Sequence, residues 1–264
     1  RQGGPRDCRG TDPAPPSDGG QPERREDRVT LTIFLTLSLL VGGAAFIQGA
    51  VGIGFALIMA PVFGFVDATY LPVTLLVLML PLNLLVAWRE RHAIDRQGAG
   101  WITAGRFFGT FLGMAVLIAL SVRQLEIAVG LLTILAAAVA LMAPPFRITP
   151  PASVGVGLFT GITETATGIG GPPLALLYQH AEGPTLRATV ATCFLVGEVI
   201  SLVILLLSGR ITQDQMLAAV MLVPAVLVGT VLSRVVHARI NGPALRLAVL
   251  IFSIVSGAAL ILKG

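Results

Sequence analysis

Six side chains in this 264-residue sequence could do chemistry in an apolar setting: Gln48, Asn83, Arg106, Glu164, Arg187 and Glu198. Each lies within or beside a long apolar run, where polar and ionisable groups are costly and therefore candidates for function. Two of them introduce the same unusual phrase. Gln48 opens Gln48-Gly49-Ala50-Val51-Gly52-Ile53-Gly54, and Glu164 opens Glu164-Thr165-Ala166-Thr167-Gly168-Ile169-Gly170-Gly171-Pro172-Pro173. The two Gly-Ile-Gly cores are separated by close to half of the hydrophobic region. Glycine at such density unwinds a helix, and the half-helix that follows presents free N–H groups and a positive dipole end, which suit an anion. Two glycine-broken segments in matching positions of two halves point to a transporter's substrate site. The candidate substrate-binding set is therefore Gln48, Gly49, Gly52, Gly54, Glu164, Gly168, Gly170, Gly171, Pro172 and Arg187, with both breaks expected to meet near mid-membrane. Close helix packing is the competing use of such glycines, and their recurrence in both halves favours the site. Asn83, Glu164 and Glu198 are the polar groups inside the membrane. Either carboxyl could carry a coupling proton, whereas Arg106, five residues into its span, is expected to snorkel to the interface.

The elements that must hold these groups are helices. The chain is 55% hydrophobic and 12% charged, with a mean hydropathy of +0.86. Residues 1–28 are rich in charge and proline and read as a disordered polar tail. The sequence starts without Met, as a fragment or an overextended start would. From Val29 onward, apolar runs long enough to cross a bilayer recur at 30–48, 70–88, 101–120, 124–143, 152–168, 188–208, 214–234 and 244–262. The first apolar region continues from Thr30 through Val66, far beyond one crossing. A helix to about Gln48, an unwound stretch and a short half-helix account for that length. The second copy reads as helix 152–165, a break at Gly168–Pro173, and a half-helix to about Tyr178. The fold class expected is all-α: a polytopic membrane protein with about eight transmembrane helices in two four-span repeats with glycine-broken first helices, 29–147 and 148–264.

Other matches support the repeat. Gly109-Thr110-Phe111-Leu112-Gly113 lands on Gly229-Thr230-Val231-Leu232-Ser233, and Asn83 lands on Glu198. Eight crossings put the tail, Arg89, Arg91, Arg96, Arg147 and Arg210 on one side and Arg123, Arg187, Arg234, Arg239 and Arg246 on the other. That slight excess favours a cytoplasmic N-terminus.

Several functions are excluded. The pI near 9.8 reflects arginines flanking the spans rather than a nucleic-acid surface. Gly52-x-Gly54 lacks the third glycine and the βαβ context of a dinucleotide-binding loop. No His-Glu-x-x-His, Gly-x-Ser-x-Gly or paired membrane aspartates occur, and His92, His180 and His237 are scattered at span ends. Neither an enzyme, a metal site nor a cofactor is expected. Cys8 and Cys193 make no disulfide framework. The stripes Gly105/Gly109/Gly113 and Gly157/Gly161 read as packing faces.

The phrase Phe46-Ile47-Gln48-Gly49-Ala50-Val51-Gly52-Ile53-Gly54-Phe55 with Pro61, together with Gly161 and Gly168-Ile169-Gly170-Gly171-Pro172-Pro173, resembles the sulfite exporter TauE/SafE family over about residues 30–264. The resemblance implies secondary transport of sulfite, sulfonates or related organic anions, coupled to a proton or ion gradient. It implies a multi-pass protein of the cell inner or plasma membrane whose partners are a small anionic substrate and the lipid bilayer, with room for a homo-oligomer. The family's glycine motifs fall on Gly49, Gly52, Gly54, Gly168, Gly170, Gly171 and Pro172. Phe55 stands where many members have a further glycine, which makes the first break greasier and leaves room for a larger organic anion. A channel-like anion pore and a non-transporting membrane scaffold are the alternatives. A pore needs a continuous polar path, for which only Gln48, Asn83, Glu164 and Glu198 are available, and duplicated breaks argue against a scaffold.

Overall fold

The computed structural model describes residues 21–142, 148–178, 180–236 and 242–263. Cys8, Arg147, His237 and Arg239, and the side chain of Arg246, fall outside the description. Among the described residues the fold is all-helical: α1 (Gln21–Val51), α2 (Phe55–Asp67), α3 (Val73–Arg89), α4 (Arg96–Ala119), α5 (Val122–Met142), α6 (Pro150–Thr167), α7 (Gly171–Leu177), α8 (Gly183–Leu207), α9 (Gln213–Val236) and α10 (Gly242–Leu262). Helix α1 starts at Gln21, so the last part of the expected polar tail is helical. Five helical segments are long and apolar enough to cross a membrane: Thr32–Val51, Arg96–Ala119, Val122–Met142, Gly183–Leu207 and Gln213–Val235. The chain divides into Arg1–Thr36 and Leu37–Gly264, and the candidate site lies wholly in the second unit.

Local signals set the helix ends. Asp95 caps α4, its carboxylate accepting the Gly98 N–H at 3.0 Å. Thr149 caps α6, with prolines in its first turn where their missing N–H costs nothing. Both breaks close on the same bond. The Gly52 N–H donates to the Gln48 carbonyl and the Gly168 N–H to the Glu164 carbonyl, each at 2.7 Å. The chain then turns through positive φ, +94° at Gly52, +130° at Gly54 and +82° at Gly168, which side chains with a Cβ rarely adopt. Helices α2 and α7 begin immediately afterwards, as two short half-helices.

Contacts fix the direction of each helix. Helices α3 and α8 run antiparallel, with Glu90 beside Arg187 at one end and Val73 in one cluster with Leu205 at the other. Helices α5 and α10 are also antiparallel, Gly130 facing Gly257 and Arg123 reaching the carbonyl of Ile261. Helices α4 and α6 run parallel: a Cβ at Gly105, Gly109 or Gly113 would meet the backbone of Val154, Leu158 or Ile162. Along α1 and α9 the same sense holds, since Gly42 lies against Gly229 and Gly49 against Ser233.

Two expectations are corrected by these directions. Arg187 lies at the same end of the bundle as Arg89 and Arg210 at the opposite one, the reverse of the expected sides, because each break and half-helix turns the chain back and adds a traverse that a count of long runs omits. The breaks do not meet. Gly52 packs against Leu186 and Arg187 beside the C-terminal end of α3, whereas Gly168 packs on Leu75 near its start. The stretch of α3 between those contacts is about 20 Å long.

The α4–α6 contact depends on bare glycine. A Cβ at Gly157 would run into the Ile102 backbone, while one at Gly155, on the same helix, meets nothing within 4 Å. Gly157→Ala should destabilise the folded protein by about 1–3 kcal/mol through overpacking. Gly155→Ala should leave the unfolding midpoint in detergent unchanged or slightly raised. Equal midpoints for the two variants would contradict this packing.

Candidate functional site

The site is built around the first break. Gln48, in the last turn of α1, turns its side chain toward the start of α2. Its Oε1 accepts the Phe55 N–H at 2.9 Å, satisfying one of the donors that a helix start leaves free. Its Nε2 donates to Asn83 Oδ1 on α3 at 3.1 Å. Asn83 Nδ2 in turn donates to Glu198 Oε1 on α8 at 2.6 Å. All three side chains are buried. One amide, oriented by the broken backbone, thus starts a line of hydrogen bonds that crosses α3 and ends on the α8 carboxyl.

A second buried group faces that carboxyl. Arg106 on α4 and Glu164 on α6 form an ion pair at 2.8 Å, both side chains fully excluded from solvent. The pair is close in distance but poor in direction. None of the three guanidinium nitrogens and neither Glu164 oxygen has hydrogen-bonding geometry to a protein atom, and Glu198 Oε2 is likewise unpartnered. The guanidinium rests over the Phe194 ring, its carbon 5.5 Å from the centroid. It occupies the space that a side chain at Gly197 would need. Glu198 lies within reach of the charges of both Glu164 and Arg106. Glu164 Oε2 abuts Gly170, so this cluster touches the second break. Thr165 and Ser201 bond at 2.8 Å and tie α6 to α8 alongside it.

The far side of the first break is covered by charge. Arg187 donates from Nε to both Glu90 oxygens, at 3.1 and 3.0 Å, and from Nη2 to Oε1 at 3.0 Å. Arg89 pairs with the same carboxylate and donates to the Gly49 carbonyl at 3.0 Å. Nearby, the Tyr178 hydroxyl donates to Asp95 Oδ2 at 2.8 Å, and the Asp95 N–H donates to Thr189 Oγ1 at 3.0 Å. These bonds strap the ends of α3 and α7 to the starts of α4 and α8.

The expected site residues therefore fall into two groups with one connection. Gln48, Gly49, Gly52 and Gly54 form the first break with Arg187 against it. Glu164, Gly168, Gly170, Gly171 and Pro172 form the second, where Pro172 also lines an apolar cavity with Thr163, Ile169, Pro173 and residues of α5. Asn83 and Glu198 lie between. Three contributors were missed or undervalued. Arg106 is buried rather than snorkelled, and Arg89 and Glu90 act at the break rather than merely ending a span. Gly197, one residue before Glu198, was the available signal for a bulky neighbour.

Apolar helices, two glycine-broken half-helices and a sealed polar core define a multi-pass membrane protein. The profile of the Sulfite exporter TauE/SafE family matches residues 37–260, and the chain belongs to that family of membrane transporters. No curated protein and no solved structure matches the chain.

Removing one member of a buried ion pair strands the other. Arg106→Gln should lower the stability of the detergent-solubilised protein by about 3–5 kcal/mol. Adding Glu164→Gln to it should restore most of that loss, as read from unfolding midpoints of the two singles and the double. Additive losses would show that the two groups are not coupled.

Proposed function

We propose that the protein is a secondary transporter of small anions, sulfite, a sulfonate or a related organic anion, driven by a proton or ion gradient. The observation that carries this reading is the buried polar line that starts at the first break, Gln48–Asn83–Glu198, and reaches the Arg106–Glu164 pair at the second. The Arg106–Glu164 pair and Glu198 Oε2, buried without hydrogen-bond partners, are expensive to maintain for stability alone. They suit a passage that is dry in one state and occupied in another.

Residues 29–147 and 148–264 are read as two halves of similar build, each with a broken helix, a half-helix and three further helices. The helix directions support an inverted relation between them. Helices α3 and α8 are repeat mates and pack antiparallel, with the mates Asn83 and Glu198 bonded to each other. Helices α5 and α10 pack the same way. The parallel α4–α6 contact has its counterpart in α9–α1. Inverted halves meeting at a polar midpoint are the build of alternating-access transporters.

In this reading the substrate passes from one break to the other through the polar core, meeting them in turn rather than both at once. Gly49, Gly52, Gly54, Gly168, Gly170 and Gly171 let the backbone approach it, and Arg187 supplies charge once an anion displaces the Glu90 carboxylate. The apolar cavity beside Pro172 gives a carbon skeleton somewhere to lie, which suits an organic anion as well as sulfite. Glu198 is the coupling group, gaining and losing a proton as access alternates, with Glu164 nearer the second break as the alternative.

Flux into proteoliposomes tests the proposal, using sulfite, sulfonates and carboxylates with and without an imposed pH gradient. At least one anion should accumulate in a gradient-dependent way. Glu198→Gln should retain gradient-free exchange and lose the acceleration by pH. No anion flux in the wild type would overturn the reading, and normal pH-driven flux in Glu198→Gln would remove Glu198 from the coupling role.

A further inference from the structure

The bundle end opposite the Arg187–Glu90 strap carries a cavity of about 170 Å³, formed where the starts of α3 and α9 meet the ends of α4 and α8. By volume it holds several waters, or a small anion with part of its hydration shell. Its polar lining comes from Thr69, Ser121, Arg210 and Gln215, and among the described residues Arg210 is the charged one that lines it. Gln215 is fully engaged in holding the wall. Its Nε2 donates to the Thr69 carbonyl at 2.6 Å, its Oε1 accepts the Thr212 N–H at 2.9 Å, and its carbonyl accepts the Thr74 hydroxyl at 3.1 Å. The Ser121 oxygen accepts the Gln124 N–H at 3.3 Å, which leaves its hydroxyl proton and the Arg210 guanidinium to meet a ligand.

The floor of this cavity is apolar. Val73, Leu76, Met114 and Leu205 form a tightly buried cluster, and Val73 and Leu205 also line the cavity above it. Their positions along the helices are informative. Leu76 precedes Asn83 by two turns on α3, Leu205 follows Glu198 by two turns on α8, and Met114 follows Arg106 by about two turns on α4. Two turns keep the same helix face and advance about 10 Å. About two turns beneath the floor, then, lie Asn83, Glu198 and Arg106, three side chains of the buried polar core.

We propose that this cavity is the vestibule through which a small anion enters from that end, with Arg210 as its charge and the Val73/Leu76/Met114/Leu205 floor as the gate. The inference rests on the transport reading and adds the entry site and barrier to it. The two ends are then closed by different means. One is held by charge-assisted hydrogen bonds between Arg187, Arg89 and Glu90. At the other, hydrogen bonds of Gln215 hold the wall, while the floor itself is closed by side-chain packing, which is weakened by removing volume. A dewetted apolar constriction of this kind blocks ions without a charged plug.

Thiol accessibility tests this without requiring transport. In a Cys8→Ser/Cys193→Ala background, Ser121→Cys places a probe in the vestibule and Ser201→Cys places one below the floor, one turn from Leu205. Reconstituted protein is treated with a small anionic methanethiosulfonate reagent and with its cationic counterpart. Ser121→Cys should label readily, and faster with the anionic reagent. Adding Arg210→Gln should slow the anionic reagent by about fivefold, the effect of one charge a few ångströms away in water, without slowing the cationic one. Ser201→Cys should resist labelling until Leu205→Ala or, independently, Leu76→Ala opens the floor. Two openings guard against a variant that fails to fold, and size-exclusion profiles identify such a failure. Labelling of Ser201→Cys with the floor intact, protection that survives both openings, or an Arg210→Gln effect equal for both reagents would each overturn the proposal. A protein that moves no anion but labels in the expected pattern would retain the vestibule and lose the transport reading, so the two failures are distinguishable.

Discussion

A helix interrupted inside an apolar bundle leaves backbone N–H and C=O groups that lipid cannot satisfy, and the second unit is organised around meeting that requirement. At the first break the solution comes from both sides. Gln48 reaches forward to the Phe55 N–H, and Arg89 reaches across to the Gly49 carbonyl. Each partner is then committed to a second contact. Gln48 holds Asn83, and Arg89 shares Glu90 with Arg187. The need to satisfy one unwound stretch thus fixes the positions of side chains on α3 and α8, and these connect the break to the core.

The polar core has an asymmetry that matters more than its size. The line from Gln48 to Glu198 is well bonded, whereas the Arg106–Glu164 pair is short of hydrogen bonds despite full burial. In a low-dielectric surrounding a charge pair with poor hydrogen bonding gives up solvation that its mutual attraction only partly returns. Gly197 and Gly170 make room for the two groups, and Phe194 gives the guanidinium a face to rest on. Those neighbours hold the charges in place without satisfying them. In the function proposed, these unsatisfied donors and acceptors are the groups that would meet a substrate or a proton.

Much of this was legible in the residues, and what was not has a physical cause. Periodicity and apolar length located every helix from the first break onward, because spans have no soluble loops to confuse them. The glycine phrases located both breaks, since only glycine tolerates the positive φ found at Gly52, Gly54 and Gly168. The polar residues Gln48, Asn83, Glu164 and Glu198 stood out because their surroundings are so apolar. Arg106 was misjudged because distance from a span end predicts snorkelling only when the helix face points outward, and the glycines of α4 turn this face toward α6. The placement of Arg187 failed for a topological reason. A half-helix of seven residues is invisible to any count of spans, yet it reverses the chain. Leu76, Met114 and Leu205 carried no signal at all, since one leucine in a membrane helix looks like the next until three helices converge on it.

The central claim is that the two breaks, about 20 Å apart along α3, serve one substrate through the polar core between them. Hydrogen exchange of the reconstituted protein, with and without a transported anion such as sulfite, measures this most directly. The account predicts that the anion slows amide exchange in both Gly52–Phe55 and Gly168–Gly171, and that Arg106→Gln/Glu164→Gln removes the protection at both together. Protection confined to one break, or to neither while transport proceeds, would contradict it.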